Sequence, residues 1–393
     1  MPRQKRVENF ETHAEIALSV SEHHDLNQRA ENLGYKSIQD YLRALVYSDL
    51  KKHSKANEAL VAAIAPSSYL STDFGTIWHG NSLGWLAARE PESVNLIMTS
   101  PPFGLIHKKS YGNEDAHAYC DWFRPFAEGF RKVLKDDGSL VIDLGGAWKS
   151  GIPSRSLYHF ELLIMLCQEY GFHLALEHYW WNPAKLPTPA EWVNVRRVRP
   201  KDAINCIWWL SKTPFPKASN RRVLAPYSDS MKTLLKNGYK AKVRPSGHVI
   251  SDKFGKNNGG AVPPNLLAIA NTESQGVYQD YCRRKGLDIH PARFPAALPE
   301  YFIKMTTDPG DFVLDPFGGS CVTGAVAEAL GREWSCIELK KEYLRGARGR
   351  FKGEPISLSV DKPSTYSIPA PCAVPINENE VSLVADGGAS RLI

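Results

Sequence analysis

The spacing of apolar residues changes repeatedly along the chain, and each change marks an element. Between Thr76 and Arg350, short unbroken apolar runs alternate with stretches in which apolar residues recur every three or four positions. The first pattern suits strands buried on both faces, the second amphipathic helices. The clearest strands are VNLIMT (Val94 to Thr99), SLVIDL (Ser139 to Leu144), NCIWWL (Asn205 to Leu210), FVLDP (Phe312 to Pro316) and WSCIEL (Trp334 to Leu339). This alternation predicts an α/β body with a largely parallel sheet.

Residues 1–55 are patterned differently. In EIALSV (Glu15 to Val20), Ile16, Leu18 and Val20 alternate with Glu15, Ala17 and Ser19, as in a half-buried strand. Two helical patterns follow, one through Leu26, Ala30 and Leu33 and ending at Gly34, the other through Ile38, Tyr41, Leu42, Leu45 and Val46. Strand, helix, helix resembles a ribbon-helix-helix module, in which two copies pair their strands. The resemblance implies a homodimer contact, and a DNA-binding regulator is the reading it opens beside catalysis. The outward Glu15, Ala17 and Ser19 are not base-reading residue types, so an appendage that only packs or dimerises fits equally. Residues 56–75, with APSSYLSTDFG, are expected to be a linker, 76–351 the catalytic body, and the Pro- and Ser-containing segment 352–393 an extended or disordered tail.

Composition narrows the functional class. With 393 residues, 43% hydrophobic and 23% charged, the chain is ordinary globular protein. No stretch approaches the roughly 18 apolar residues of a membrane span, and MPRQKRVENFETH lacks the apolar core of a signal peptide. A cytoplasmic location is expected. The seven cysteines contain no C-x-x-C pair, which excludes a zinc ribbon, and no metal is expected. Charge is uneven: Asn182 to Arg293 carries 20 Lys/Arg against 7 Asp/Glu. Such a region is suited to a polyanion.

Two motifs carry the chemistry. In PGDFVLDPFGGSCVTGAVAEALGREWSCIEL, Asp315 ends a strand, Gly318, Gly319 and Ser320 form a turn, and Glu338 ends the next strand 19 residues after Gly319. A βαβ unit with a Gly-rich turn and a later acid binds a nucleotide-type ligand, the acid taking ribose hydroxyls. Neither a dinucleotide G-x-G-x-x-G nor a phosphate-binding G-x-x-x-x-G-K-S/T is present. The second motif, Thr99-Ser100-Pro101-Pro102-Phe103, ends a strand with two prolines that cannot extend it. Rigid carbonyls at a strand's carboxyl end can hold an amino group, and Phe103 offers a face for stacking.

The turn through Phe317 resembles the DPFxGSGTT turn of S-adenosylmethionine-dependent DNA methyltransferases, with Cys321 in place of the second glycine. Ser100 to Phe103 match the D/N/S-P-P-Y/F/W signature of DNA amino-methyltransferases. Catalytic motif first, basic region second and cofactor motif last is the circularly permuted order of the β class. WWNPAKLPTPAEW, NGYKAKVRPSGH, GGAVPPNLLAIANTES and HPARFPAALPEYFI extend the resemblance, specifically to cytosine-N4 methyltransferases, over about Ile77 to Phe351.

The resemblance implies a Rossmann-like methyltransferase fold, S-adenosyl-L-methionine as cofactor, double-stranded DNA as partner and a companion restriction endonuclease acting on the same site. It assigns Ser100, Pro101, Pro102 and Phe103 to catalysis on a flipped base. Cofactor contacts fall to Asp315, Phe317, Gly318, Gly319, Ser320 and Glu338, with Asn81 in place of the acid of a G-D-S/A-L turn and Phe294 beside the methionine end. The target-recognition region is expected at about 182–289, with Arg196, Arg197, Arg199, Arg221, Arg222, Lys240, Lys242 and Arg244 contacting DNA, and Lys108 and Lys109 beside the flipped base. Ser in the first motif position favours cytosine N4, with adenine N6 as the alternative target.

Overall fold

The computed structural model describes residues 20–32, 38, 41, 65–104, 118–149, 151–238, 242–243, 245, 249–250, 255–272 and 276–351. Eleven strands occur among them: β1 (Ser67–Ser71), β2 (Gly75–His79), β3 (Val94–Thr99), β4 (Leu134–Gly145), β5 (His173–Trp181), β6 (Ile204–Ser211), β7 (Lys242–Val243), β8 (Val249–Ile250), β9 (Leu266–Ala268), β10 (Phe312–Asp315) and β11 (Glu333–Glu338). Nine form one sheet in the order β1-β2-β11-β10-β3-β4-β6-β5-β9, and β7 and β8 form a separate hairpin.

Alternate residues of the central strands feed two cores. Ile97, Leu140, Ile142, Leu144 and Leu314 pack against helices Ser82–Ala88, Tyr119–Val133 and Tyr158–Gln168. Leu96, Met98, Val141 and Val313 pack against helices Ala297–Thr306, Val322–Ala329 and Lys341–Ala347 on the other face. Covering both faces explains why β3 reads as an unbroken apolar run, buried at all six positions.

The sheet is mixed. Pairings β2–β11, β11–β10, β10–β3, β3–β4 and β5–β9 are parallel, whereas β1–β2, β4–β6 and β6–β5 are antiparallel. The expected parallel sheet is therefore its centre. Because β2, β11, β10, β3 and β4 run the same way, Gly80, Glu338, Asp315, Ser100 and Gly145 emerge along one sheet edge.

Two boundaries differ from expectation. The segment 56–75 expected as a linker contains β1, which is paired to β2, and its Tyr69 and Leu70 pack on the second core. Its Ser-rich composition hides a strand whose remaining residues face solvent. Val20, the expected end of a strand, instead starts the helix Val20–Asn32. Within the expected second helix, Ile38 and Tyr41 are helical and buried. The rest of that appendage, including Glu15 to Ser19, and the tail 352–393 lie outside the described residues. No described helix is long and apolar enough to cross a membrane.

Candidate active site

The carboxyl edge of the sheet opens into a cavity of about 630 Å³. Its walls include every catalytic and cofactor candidate from the sequence: Ser100, Pro101, Pro102 and Phe103 on one side, and Asn81, Phe294, Asp315, Phe317, Gly318, Gly319, Ser320 and Glu338 on the other. The two motifs are some 200 residues apart in the chain, and adjacency of β3 and β10 joins them.

The Ser-Pro-Pro-Phe turn is held from behind. The Tyr119 hydroxyl donates to the Pro102 carbonyl at 2.8 Å, and that of Tyr158 to the Gly145 carbonyl. A Cβ on Gly145 would lie 2.5 Å from the Phe103 ring, so only glycine at the end of β4 admits that ring. Ser100 Oγ donates toward Asp143 Oδ2 and the Asp143 carbonyl, both at 3.2 Å.

Asp143 is a functional candidate that sequence reading did not nominate. It is 1% exposed on β4 and faces the cavity. Burial pushes its carboxyl up to about 7, opposed by hydrogen bonds from Asn205 and Ser100 and by the positive Lys185. The sequence signal was slight, an acid inside the apolar run SLVIDL. A buried acid in a strand is costly unless it is bonded and useful. Asn182, Lys185, Ala203, Asn205 and Asn271 complete this side of the cavity.

On the cofactor side, the Gly-rich turn is organised by its acids. Glu338 Oε2 accepts from the Gly319 N–H at 2.9 Å and Oε1 from the Lys340 N–H at 2.7 Å. Burial raises the Glu338 carboxyl, and these two amides offset it. Asp315 accepts from Thr99 Oγ1 and Thr323 Oγ1, each at 2.7 Å, and from the Phe317 N–H at 3.2 Å. It clamps the two halves together, and burial pushes its carboxyl up to about 6. Gly319 has φ +51°, and Cys321 φ +55° at the start of the helix Val322–Ala329. Cys321 thus takes up a left-handed backbone that suits glycine and that non-glycine residues seldom adopt.

Asn81 Oδ1 accepts from the Leu83 N–H at 2.9 Å, capping the helix Ser82–Ala88 beside the cavity. Phe317 packs against Trp122 and Phe126, with ring centroids 5.7 and 5.0 Å away. Ser320 is held by Arg350, whose Nε donates to its carbonyl at 2.7 Å.

The basic candidates separate by what they already bind. Arg196 pairs with Glu191 at 2.7 Å and lies over the Trp192 ring, Arg199 donates to the Pro153 carbonyl at 3.2 Å, and Arg222 pairs with Asp308 at 2.9 Å. Arg197 and Arg221 are exposed and make no ion pair among the described residues. Lys108, Lys109, Lys240 and Arg244, and the side chain of Lys242, lie outside what the structure describes. Trp180 and Trp208 are core residues, their indole N–H groups bonded to the Ile269 and His159 carbonyls.

Comparison with known proteins agrees with this geometry. A family model described as DNA methylase, of the N6/N4 type, matches residues 94–348. The type II methyltransferase M.PvuII of Proteus hauseri is 52% identical over 290 residues, covering 73% of this chain and 86% of its own. M.BglII of Bacillus subtilis is 28% identical over 316 residues, covering 79% and 78%. A solved structure of PvuII DNA methyltransferase, described as cytosine-N4-specific, superposes with a TM-score of 0.60 at 45% identity, covering 73% of this chain and 89% of that one. The match extends from β3, which leads into the Ser-Pro-Pro-Phe turn, past the acid that ends β11, and the chain belongs to the DNA methylase family.

Proposed function

We propose that the protein transfers a methyl group from S-adenosylmethionine to the exocyclic N4 of a cytosine flipped out of duplex DNA. One observation carries this reading: Ser100, bonded to the buried Asp143, shares a cavity with the Glu338-braced glycine turn. The cytosine-N4 specificity of the PvuII methyltransferase supports the choice of base. The type II designation of the relatives supports a modification role beside an endonuclease of the same specificity. Pairing of two chains through residues 1–55 is supported by sequence pattern alone.

The cofactor side fits an adenosyl group. Glu338 spends one lone pair of each oxygen on a backbone amide and keeps others for ribose hydroxyls, while Gly318 and Gly319 expose backbone where a side chain would intrude. Glu338, Gly318, Gly319, Asn81 and Phe317 would hold the nucleoside, and Phe294 the other end. When bound, S-adenosylmethionine supplies an electrophilic methyl on a sulfonium.

On the opposite side, the amino nitrogen of cytosine is a weak nucleophile because its lone pair is shared with the ring. The Ser100 hydroxyl proton points at Asp143, which leaves the oxygen's lone pairs to accept from the amino group. The Pro102 carbonyl is occupied by Tyr119, so the Pro101 carbonyl is the second acceptor on the turn. Together they aim the nitrogen, which is the larger part of catalysis when two bound reactants meet. As nitrogen gives up a proton, Ser100 Oγ accepts it and passes its own to Asp143 Oδ2. A carboxyl pushed up to about 7 is matched to receiving a proton near neutral pH.

Mass spectrometry of nucleosides from duplex DNA of mixed sequence, incubated with the protein and S-adenosylmethionine, tests the proposal. N4-methylcytosine is expected. N6-methyladenine as the product would overturn the target base and leave the cavity's chemistry in place.

A further inference from the structure

We propose that Asn205 is the positioning residue for proton transfer: its side-chain amide fixes Asp143 facing Ser100 and holds it as a carboxylate. The inference rests on the reading of Asp143 as proton acceptor and adds to it a residue from another strand. Asp143 and Asn205 sit on the antiparallel neighbours β4 and β6. Asp143 is opposite Ile207 and Asn205 opposite Gly145, which makes Asn205 the diagonal neighbour of Asp143 on the same sheet face. Gly145 bears no side chain and the Phe103 ring packs where its Cβ would stand, so it is Asn205, from the neighbouring strand, that reaches Asp143. Its Nδ2 lies 3.1 Å from Asp143 Oδ1 and 3.4 Å from Oδ2. Ser100 takes Oδ2 at 3.2 Å, so each carboxylate oxygen meets a donor. The reverse amide orientation would set oxygen against oxygen, so the carboxylate itself dictates which end faces it.

The charged and titratable groups around Asp143 leave this job to Asn205. Lys185, after β5, favours the carboxylate through its charge alone. Cys206 on β6 has its thiol pushed up to about 11, and burial raises the Tyr158 phenol still further, so both are neutral at working pH. Arg155 is spent on Asp202. Against burial, which drives Asp143 toward its protonated and inactive form, the Asn205 amide is the largest opposing contribution.

A donor that favours the charged form lowers a carboxyl pKa, and its loss raises it. The test is the pH dependence of kcat at saturating S-adenosylmethionine and DNA for the wild type, N205A, N205D and D143N, with cofactor affinity measured in parallel. The wild-type rate rises through neutral pH as Asp143 loses its proton. In N205A this rise is expected to move alkaline by about one pH unit, so the rate at pH 6 relative to pH 9 falls about tenfold, with cofactor affinity unchanged. N205D keeps the shape of asparagine and places a second carboxylate beside the first, so its displacement should be larger even if alanine perturbs β6. Loss of kcat by the same factor at every pH, with the rise unmoved in both variants, would assign Asn205 a structural role and overturn the proposal. D143N separates the two levels. If it abolishes the rise while the Asn205 variants leave it in place, only the positioning role fails; if D143N keeps the wild-type profile, the acceptor reading fails and the positioning role with it.

Discussion

The two sides of the cavity are built on different plans. The cofactor side is mostly local: Asp315 to Ser320 and Glu338 belong to one strand-turn-helix-strand unit, cross-braced by the Gly319 amide on Glu338 and by the Thr323 hydroxyl on Asp315, with Asn81 and Phe294 added from elsewhere in the chain. The target side gathers Ser100, Asp143, Lys185 and Asn205 from four segments, and only the sheet brings them together. A mobile small molecule of fixed shape can be met by one local motif. A base delivered by a large duplex needs an amino group aimed and a proton removed, and those groups must converge from separate strands.

The sharpest way to break that comparison is to remove the proton path and leave the cofactor side alone. Ser100→Ala and Asp143→Asn should each lower turnover by about 10²–10⁴-fold, the usual range for a general acid–base group. Cofactor binding, followed by equilibrium titration, should stay near the wild-type value in both. Normal turnover in either variant would remove the Ser100–Asp143 pair from the mechanism.

The reciprocal change belongs on the turn. Gly319 has φ +51°, and a Cβ there would lie 3.1 Å from His290 Nε2. A β-branched residue is strained at that backbone angle whatever the space around it. Gly319→Val should shift the amide that braces Glu338 and weaken S-adenosylmethionine binding by about tenfold or more, given a strain of about 1–2 kcal/mol. DNA binding without cofactor should change little. Equal losses of both would show that the two sides are not separable.

This division also decided what could be read from the amino-acid sequence. Phe317 to Ser320 and Glu338 stand at fixed spacings within one βαβ unit, so local pattern sufficed to nominate them, and the structure places them on one wall. Ser100 to Phe103 were legible because two prolines after a buried strand have no propagating role there. Asp143 and Asn205 were not, because SLVIDL and NCIWWL read as plain core strands. Their meaning comes from a cross-strand register between residues 62 positions apart. β1 was missed for a related reason: its strand character depends on pairing with β2 and on two apolar side chains among serines.

Among the arginines, a smaller effect should distinguish residues already engaged by the protein from those free to meet phosphate. Arg197→Ala should reduce DNA affinity severalfold and lower the slope of log affinity against log salt by about one, as expected for a single lost phosphate contact. Arg196→Ala should do less, because that guanidinium is already shared with Glu191 and Trp192. Measuring both across a salt series by fluorescence anisotropy checks the ranking. Equal slopes in the two variants would mean that DNA displaces the internal partners.

The smallest expected effect concerns what the proton acceptor costs the fold. Burial pushes the Asp143 carboxyl up from the ordinary aspartate value of 3.8 to about 7. Between those values the folded protein holds a proton that the unfolded chain has released, so this group's contribution to stability grows as pH falls from about 7 toward 4. Above pH 7 the folded state carries the full burden of a buried carboxylate. Asp143→Asn has no charge to bury, and it exchanges the charge-assisted bonds from Asn205 and Ser100 for weaker neutral ones. At pH 8 it should therefore be more stable than the wild type by about 1–2 kcal/mol, a rise of a few degrees in melting temperature. The advantage should shrink steadily as pH is lowered to 5, where the wild-type carboxyl is itself neutral. An advantage over the wild type of the same size at pH 5 and pH 8 would show that Asp143 is ionised alike in the folded and unfolded chains across that range, so that burial does not raise its carboxyl toward neutral pH.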